Sequence, residues 1–305
     1  MGLALIFPGQ GSQQVGMGAS FLEESPTAAQ VFEEANDALG FDLRKLCLEG
    51  PEDELTLTKN AQAAILTVST IAHRLLSGQV ELKPVSLAGH SVGEYSAIVA
   101  AGALPFADAV RTVHQRGSFM QEATPVGVGA MAAILGAEPD AVEALCREQA
   151  QGQVVQPANF NTPGQIVISG HAEAVKRVLE HVKGMLLTVS APFHSALMAP
   201  AAERMAGVLG SLAFSDASTP VVANYDNAFI TRGADFPRSL EAQIASPVRW
   251  DSGVREMIAR GADQIVELGH GKILAGMMRR IDRSVPVLGV NDGESLRATC
   301  EALQA

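Results

Sequence analysis

Short apolar runs closed by proline or glycine alternate along this chain with longer stretches whose apolar residues recur at helical spacing. Leu3-Ala4-Leu5-Ile6-Phe7, ended by Pro8, predicts a buried strand. Helical patterns follow over residues 21–39 and 41–49, broken at Gly40, and over residues 60–76, ending near Gly78. The apolar run after Pro84 predicts a second strand ending at Gly89, and the Ala-rich stretch after Gly93 predicts a helix. Residues 105–123 predict another helix, with proline near its first turn and a stripe through Phe106, Val110, Val113, Gly117 and Met120. Apolar runs at 221–224 and 265–268 predict two more buried strands. Strands separated by helices in this way predict an α/β protein with a mainly parallel sheet covered on both faces.

The middle of the chain has a different rhythm. Strands are predicted at 129–135, 154–159, 165–169 and 185–189, helices at 139–149 and 172–183, and a turn at Asn161-Thr162-Pro163-Gly164. The order β-α-β-β-α-β is the split βαβ of a ferredoxin-like unit. It starts after Pro125-Val126-Gly127 and ends before Pro192. The expected organisation is therefore a large domain of residues 1–126 and 191–305 carrying an inserted subdomain of residues 127–190.

Composition narrows the function classes. With 305 residues, 47% of them hydrophobic and 18% charged, the chain can bury a large core. A formal net charge of -11 argues against nucleic acid as the main partner. Three widely spaced cysteines fit a reduced compartment. No apolar run is long enough to span a membrane, and no basic stretch precedes an apolar one at the N-terminus, so a cytoplasmic location is expected. No metal-ligand spacing occurs, and Gln14 stands where a dinucleotide fingerprint would need its third glycine. Neither a metal nor a cofactor is expected.

The candidate chemistry centres on Gly89-His90-Ser91-Val92-Gly93. A strand before this sequence and a helix after it form the setting of a nucleophile elbow, with Ser91 at the apex of a strained turn. The N-terminus of the following helix favours the oxyanion that forms when a serine attacks a carbonyl. Seven histidines are present. His73, His114, His171 and His181 fall in or at the ends of helices, and the elbow turns His90 away from its neighbour. His194, at a domain junction and expected at the head of a helix, is the best general-base candidate. Arg116 lies beside the buried stripe of its helix, where a solvated, snorkelling arginine is the ordinary outcome and a functional one the alternative. Taken alone, the loop Pro8-Gly9-Gln10-Gly11 reads as an ordinary glycine-rich turn, the alternative being that it aims the Gln10 N–H into a site.

Seven segments in order carry a resemblance. Phe7-Pro8-Gly9-Gln10-Gly11-Ser12-Gln13, Gly89-His90-Ser91-Val92-Gly93-Glu94-Tyr95, Gln115-Arg116-Gly117, Asn159-Phe160-Asn161-Thr162-Pro163-Gly164-Gln165 and Phe193-His194-Ser195-Ala196-Leu197-Met198 come first. Gln243 with Pro247-Val248-Arg249-Trp250, and Glu267-Leu268-Gly269 with Gly271-Lys272, complete the set. Together they resemble the malonyl-CoA:acyl-carrier-protein transacylases of fatty-acid and polyketide synthesis, over nearly the whole chain. The resemblance implies an α/β-hydrolase-like large domain and a ferredoxin-like insert. It implies Ser91 as nucleophile, His194 as base and acid, and the backbone N–H groups of Gln10 and Val92 as the oxyanion hole. Arg116 would bind the malonyl carboxylate, the Gln243 main-chain carbonyl would orient His194, and Phe193 would select malonyl over methylmalonyl. Malonyl-CoA and a phosphopantetheinylated acyl carrier protein would be the partners. His270 departs from the family, which usually has proline there.

Two other classes compete. A serine hydrolase shares the elbow and histidine but wants a carboxylate behind His194 and has no use for Arg116. A non-catalytic interaction module would lack the paired Ser91 and His194.

Overall fold

The computed structural model describes residues 2–304. Ten strands, β1 (Leu3–Phe7), β2 (Ser86–Gly89), β3 (Gly129–Leu135), β4 (Val155–Thr162), β5 (Gln165–His171), β6 (Gly184–Leu186), β7 (Val221–Val222), β8 (Phe229–Ile230), β9 (Gln264–Leu268) and β10 (Val287–Val290), form two sheets. The larger has the order β10-β9-β1-β2-β7-β8, parallel except for the antiparallel edge pair β7–β8.

Central strand β1 is buried along its whole length. Because successive side chains point to opposite faces, Leu3, Leu5 and Phe7 enter one core and Ala4 and Ile6 the other. The first core is roofed by the helices Thr58–Ser77, Gly93–Ala100 and Phe106–Glu122, the second by Trp250–Ala259 and Ile273–Ile281. A continuous apolar strand is thus the signature of a sheet covered on both sides.

The second sheet, β4-β5-β3-β6, is antiparallel throughout. Ala132, Ile134, Ile166 and Ile168 pack on one of its faces against Val142 and Cys146 of Pro139–Gln149 and Val175 and Val178 of Ala172–Leu179. Met131 and Val167, offset by one residue, face the large core instead. The two sheets therefore enclose the space between them. They are also joined through backbone, since Phe160 N–H donates to Val248 C=O at 2.9 Å and Val248 N–H to Ala158 C=O at 2.8 Å.

Several elements differ from expectation. The helix expected over 21–39 is divided at Ser25, whose extended backbone (φ -163°) precedes Pro26 at the start of a second helix. Proline disfavours helical backbone in the residue before it, and the Ser25 hydroxyl caps the new helix at Thr27 N–H, 3.2 Å away. The helix expected to reach residue 183 stops at Leu179, and β6 is shorter than the strand expected there. Asn161 and Thr162, expected in a turn, are the last residues of β4. Strands β8 and β10 and the helices Phe236–Ala245, Trp250–Ala259, Ile273–Ile281 and Gly293–Gln304 were not legible in the pattern. Among the described residues, no helix is long and apolar enough to cross a membrane.

Candidate active site

The turn between β2 and the helix Gly93–Ala100 sets Ser91 at φ 54°. That left-handed backbone costs a non-glycine residue about 1–3 kcal/mol. Its surroundings leave no alternative. A Cβ on Gly89 would lie 1.9 Å from the Gly93 carbonyl, and one on Gly93 would lie 2.3 Å from Phe7 O. Strand, turn and helix thus pass in backbone contact, which only glycine permits. Asn224 locks the turn from the neighbouring strand end: its Oδ1 accepts from Ser91 N–H at 2.7 Å and its Nδ2 donates to Gly89 O at 2.7 Å.

His194 lies in a tight turn at φ 57° and not at a helix head; a single 3-10 turn, Ala196–Met198, separates it from the helix Ala199–Gly210. Its Nε2 is 2.8 Å from Ser91 Oγ and its Nδ1 3.0 Å from Gln243 O. A carbonyl only accepts, so Nδ1 carries the proton and Nε2 is free to take one from Ser91. Burial, reinforced by Arg116, pushes the imidazole down to about 3. It is neutral, as a base must be.

Arg116 is fully buried. Its Nη1 donates to Gln62 Oε1 at 2.7 Å, and its Nη2 to Gln243 Oε1 at 2.8 Å and Ser91 Oγ at 3.2 Å. Its Nε has no acceptor. None of these partners carries a charge, and burial holds the guanidinium below its ordinary range. A buried cation beside Ser91 with only neutral partners can accept an anion.

These groups surround a cavity of about 660 Å³ between the two sheets, lined by Gln10, Ser91, Arg116, Phe193 and His194 among others. Among the described residues, neither the Gln10 nor the Val92 N–H has a hydrogen-bond acceptor. His90 takes no part in the pair; its ring nitrogen meets Asn161 Oδ1 at 2.8 Å and ties the elbow to β4. His270, half-buried in the bend after β9, does not line the cavity, and its Nδ1 has no partner.

Three residues of the site were given no role in the sequence reading. Gln62 lies in a helix whose buried residues include Asn60, Thr67, Ser69 and Thr70, and such a buried polar run was the available signal. Asn224 was placed only at a strand end. Glu94, one turn after Ser91, is buried and accepts from Gln243 Nε2 at 2.7 Å and Asn224 N–H at 3.0 Å. Burial pushes its carboxyl up to about 7, against the pull of those two donors and of Arg116.

A serine hydroxyl in hydrogen-bond reach of a neutral imidazole is an arrangement that can carry out acyl transfer. In keeping with that chemistry, residues 4–295 match the acyl transferase domain family, and the chain belongs to it. It is 44% identical to the malonyl CoA-acyl carrier protein transacylase of Escherichia coli (strain K12), with 98% of each chain covered. It is equally 44% identical to that of Bacillus subtilis (strain 168), covering 99% of this chain and 97% of the relative. The solved malonyl CoA-acyl carrier protein transacylase of Coxiella burnetii matches with a TM-score of 0.97 and 39% identity, covering 100% of this chain and 98% of that one. A type II PKS acyl-carrier protein in complex with its malonyl-transacylase gives a TM-score of 0.96 at 41% identity, covering 99% and 100%.

Proposed function

We propose that this protein transfers the malonyl group of malonyl-CoA to the phosphopantetheine thiol of an acyl carrier protein, in two steps through a malonyl-Ser91 ester. Ser91 Oγ attacks the thioester carbonyl while its proton passes to His194 Nε2. The N–H groups of Gln10 and Val92 hold the oxyanion. The C–S bond then breaks, His194 returns the proton to the departing CoA sulfur, and the ester remains. In the second step His194 takes the proton of the carrier thiol, whose sulfur attacks the ester, and Ser91 leaves with that proton. One site thus serves two bulky thiols in turn. Residues 1–126 and 191–305 act as the catalytic domain, and the inserted unit 127–190 supplies the facing wall. Phe193, almost fully buried at the cavity wall, crowds an α-methyl and so disfavours methylmalonyl.

The observation that carries this reading is Arg116. A malonyl carboxylate can accept two parallel charge-assisted bonds from a guanidinium. An acetyl group would leave the buried charge without a counter-ion. Hydrolysis by a Ser-His-carboxylate triad fits less well, because the group behind His194 Nδ1 is the Gln243 carbonyl. Removing one partner of a buried charge pair costs about 3–5 kcal/mol. Arg116→Ala is therefore expected to lose at least about a hundredfold in malonyl-CoA kcat/KM while gaining activity on acetyl-CoA relative to wild type. Radiolabelled malonyl-CoA and radiolabelled acetyl-CoA, each offered with and without carrier protein, read both rates. Unchanged malonyl use and unchanged acetyl rejection in Arg116→Ala would end the assignment, and rapid release of free malonate by the wild type would favour the hydrolase.

A further inference from the structure

One buried acidic group has no part in the steps above. Glu94 sits beneath the elbow, and its Oε2 receives Gln243 Nε2 at 2.7 Å. The same Nε2 also donates to Ser91 O at 3.0 Å, while Gln243 Oε1 receives Arg116 Nη2 at 2.8 Å. An amide can face such a setting in only one way. Turned over, its oxygen would meet a carboxylate and a carbonyl, and its NH2 would meet a guanidinium. Gln243 is fully buried, so no water can substitute for a lost partner.

The chain of contacts runs from the Glu94 carboxyl through the Gln243 amide to Arg116. Among the described residues, no carboxylate contacts Arg116 directly. A carboxyl does lie close by, but it meets the Gln243 amide and not the imidazole. His194 leans on the main-chain carbonyl of that same Gln243, and that carbonyl is carried by the helix Phe236–Ala245 whichever way the side chain turns.

We propose that Glu94 is a positioning residue that fixes the Gln243 amide so that Oε1 faces Arg116, and thereby tunes the site for acyl groups that end in a carboxylate. This rests on the reading of Arg116 as the carboxylate-binding group. Loss of the Glu94 oxygen frees the amide to turn, presents NH2 to the guanidinium and displaces it. Neither the Ser91–His194 contact nor the Gln243 carbonyl behind His194 passes through the Glu94 carboxyl, although its Oε2 also accepts the Asn224 N–H. Substrate discrimination and nucleophile reactivity should therefore separate.

The test uses the full-length protein and two readouts. One is kcat/KM for malonyl-CoA and for acetyl-CoA. The other is the rate at which a neutral fluorophosphonate labels Ser91, which reads the Ser–His pair and carries no carboxylate for Arg116 to bind. Glu94→Met keeps volume and removes the acceptor. It is expected to raise the malonyl-CoA KM at least tenfold and to leave fluorophosphonate labelling within threefold. Glu94→Gln restores an acceptor oxygen and is expected to return the malonyl-CoA KM to within threefold of wild type. Should Glu94→Met fail to fold, Glu94→Asp carries the test: one methylene shorter, it withdraws the oxygen from Gln243 and is expected to raise the KM at least fivefold. A wild-type malonyl-CoA KM in folded Glu94→Met or Glu94→Asp overturns the proposal. So does a parallel fall of both readouts, which would mark a merely structural role. Arg116→Ala keeps the two readings apart. If it retains malonyl preference, the reading of Arg116 fails. If it loses that preference while the Glu94 variants do not, only the role of Glu94 fails.

Discussion

Two turns meet at the cavity, and each holds a non-glycine residue in left-handed backbone: Ser91 at φ 54° and His194 at φ 57°. They are held in opposite ways. The Ser91 turn is fixed by steric contact in its immediate neighbourhood, with Gly89, Gly93 and Phe7 so close that no Cβ fits between them. The His194 turn has local bonds of its own, Ser195 Oγ to Pro192 O at 2.7 Å and Phe193 N–H to Ala191 O at 3.0 Å. Its functional orientation comes from afar, through Gln243 O and Ser91 Oγ. Ser91 is placed mainly by backbone packed too tightly to move, with Asn224 bracing it, and His194 by partners 49 and 103 residues distant in the chain. Strain at both is stable only because the surrounding fold over-determines it.

The most drastic way to break the comparison is to remove either reacting group. Ser91→Ala should abolish the covalent malonyl adduct, and His194→Ala should lose most of its formation rate. The double variant should be little worse than either, because each group is useless without the other. A labelled Ser91→Ala protein, followed by mass spectrometry, would sink the assignment.

Next in size is the clearance at the elbow. Gly93→Ala puts a methyl group 2.3 Å from Phe7 O, so strand and helix must part. Transfer activity should fall by about a hundredfold or more, with a lowered Tm. At the other turn, Ser195→Ala removes one buried hydrogen bond worth about 1 kcal/mol, and activity should fall less than tenfold. Equal losses at the two sites would mean that the turns are held alike after all.

The smallest effect expected is a missing one. Because burial holds His194 at about 3, the fluorophosphonate labelling of Ser91 should show no inflection near the ordinary histidine value of 6.5 and should fall only as pH approaches 3. The same group makes the fold less stable as pH drops below 6.5, since the unfolded chain binds a proton that the folded chain refuses until about 3. An inflection in the labelling rate near 6.5 would show His194 to be solvated.

What was legible in the chain follows from range. The elbow could be read because its cause is local: a strand, two glycines and a helix stand within a dozen residues, and the steric demand for glycine is written in the residues themselves. The split βαβ unit could be read because its strands and helices follow one another with short connections, and sheet order β4-β5-β3-β6 agrees with that reading. Residues 229–304 were largely illegible as elements, since strands as short as Phe229–Ile230 and Val287–Val290 owe their form to the strand they lie beside and not to their own pattern. Arg116 was ambiguous for a similar reason. Its place beside an apolar stripe suited a snorkelling surface arginine, and only the packing of Gln62 and Gln243 around it made it a buried cation. Glu94 stood in the sequence only as part of the segment of residues 89–95, with nothing in its own position, one acidic residue in a helix's first turn, to mark a role. Sequence by itself determined where the chain must turn sharply and which runs must be buried, because backbone sterics and apolar periodicity act over a few residues. Only the tertiary structure decided which polar side chains lie in the dry space between the two sheets, because desolvation and hydrogen-bond partnership there depend on residues brought together from distant parts of the chain.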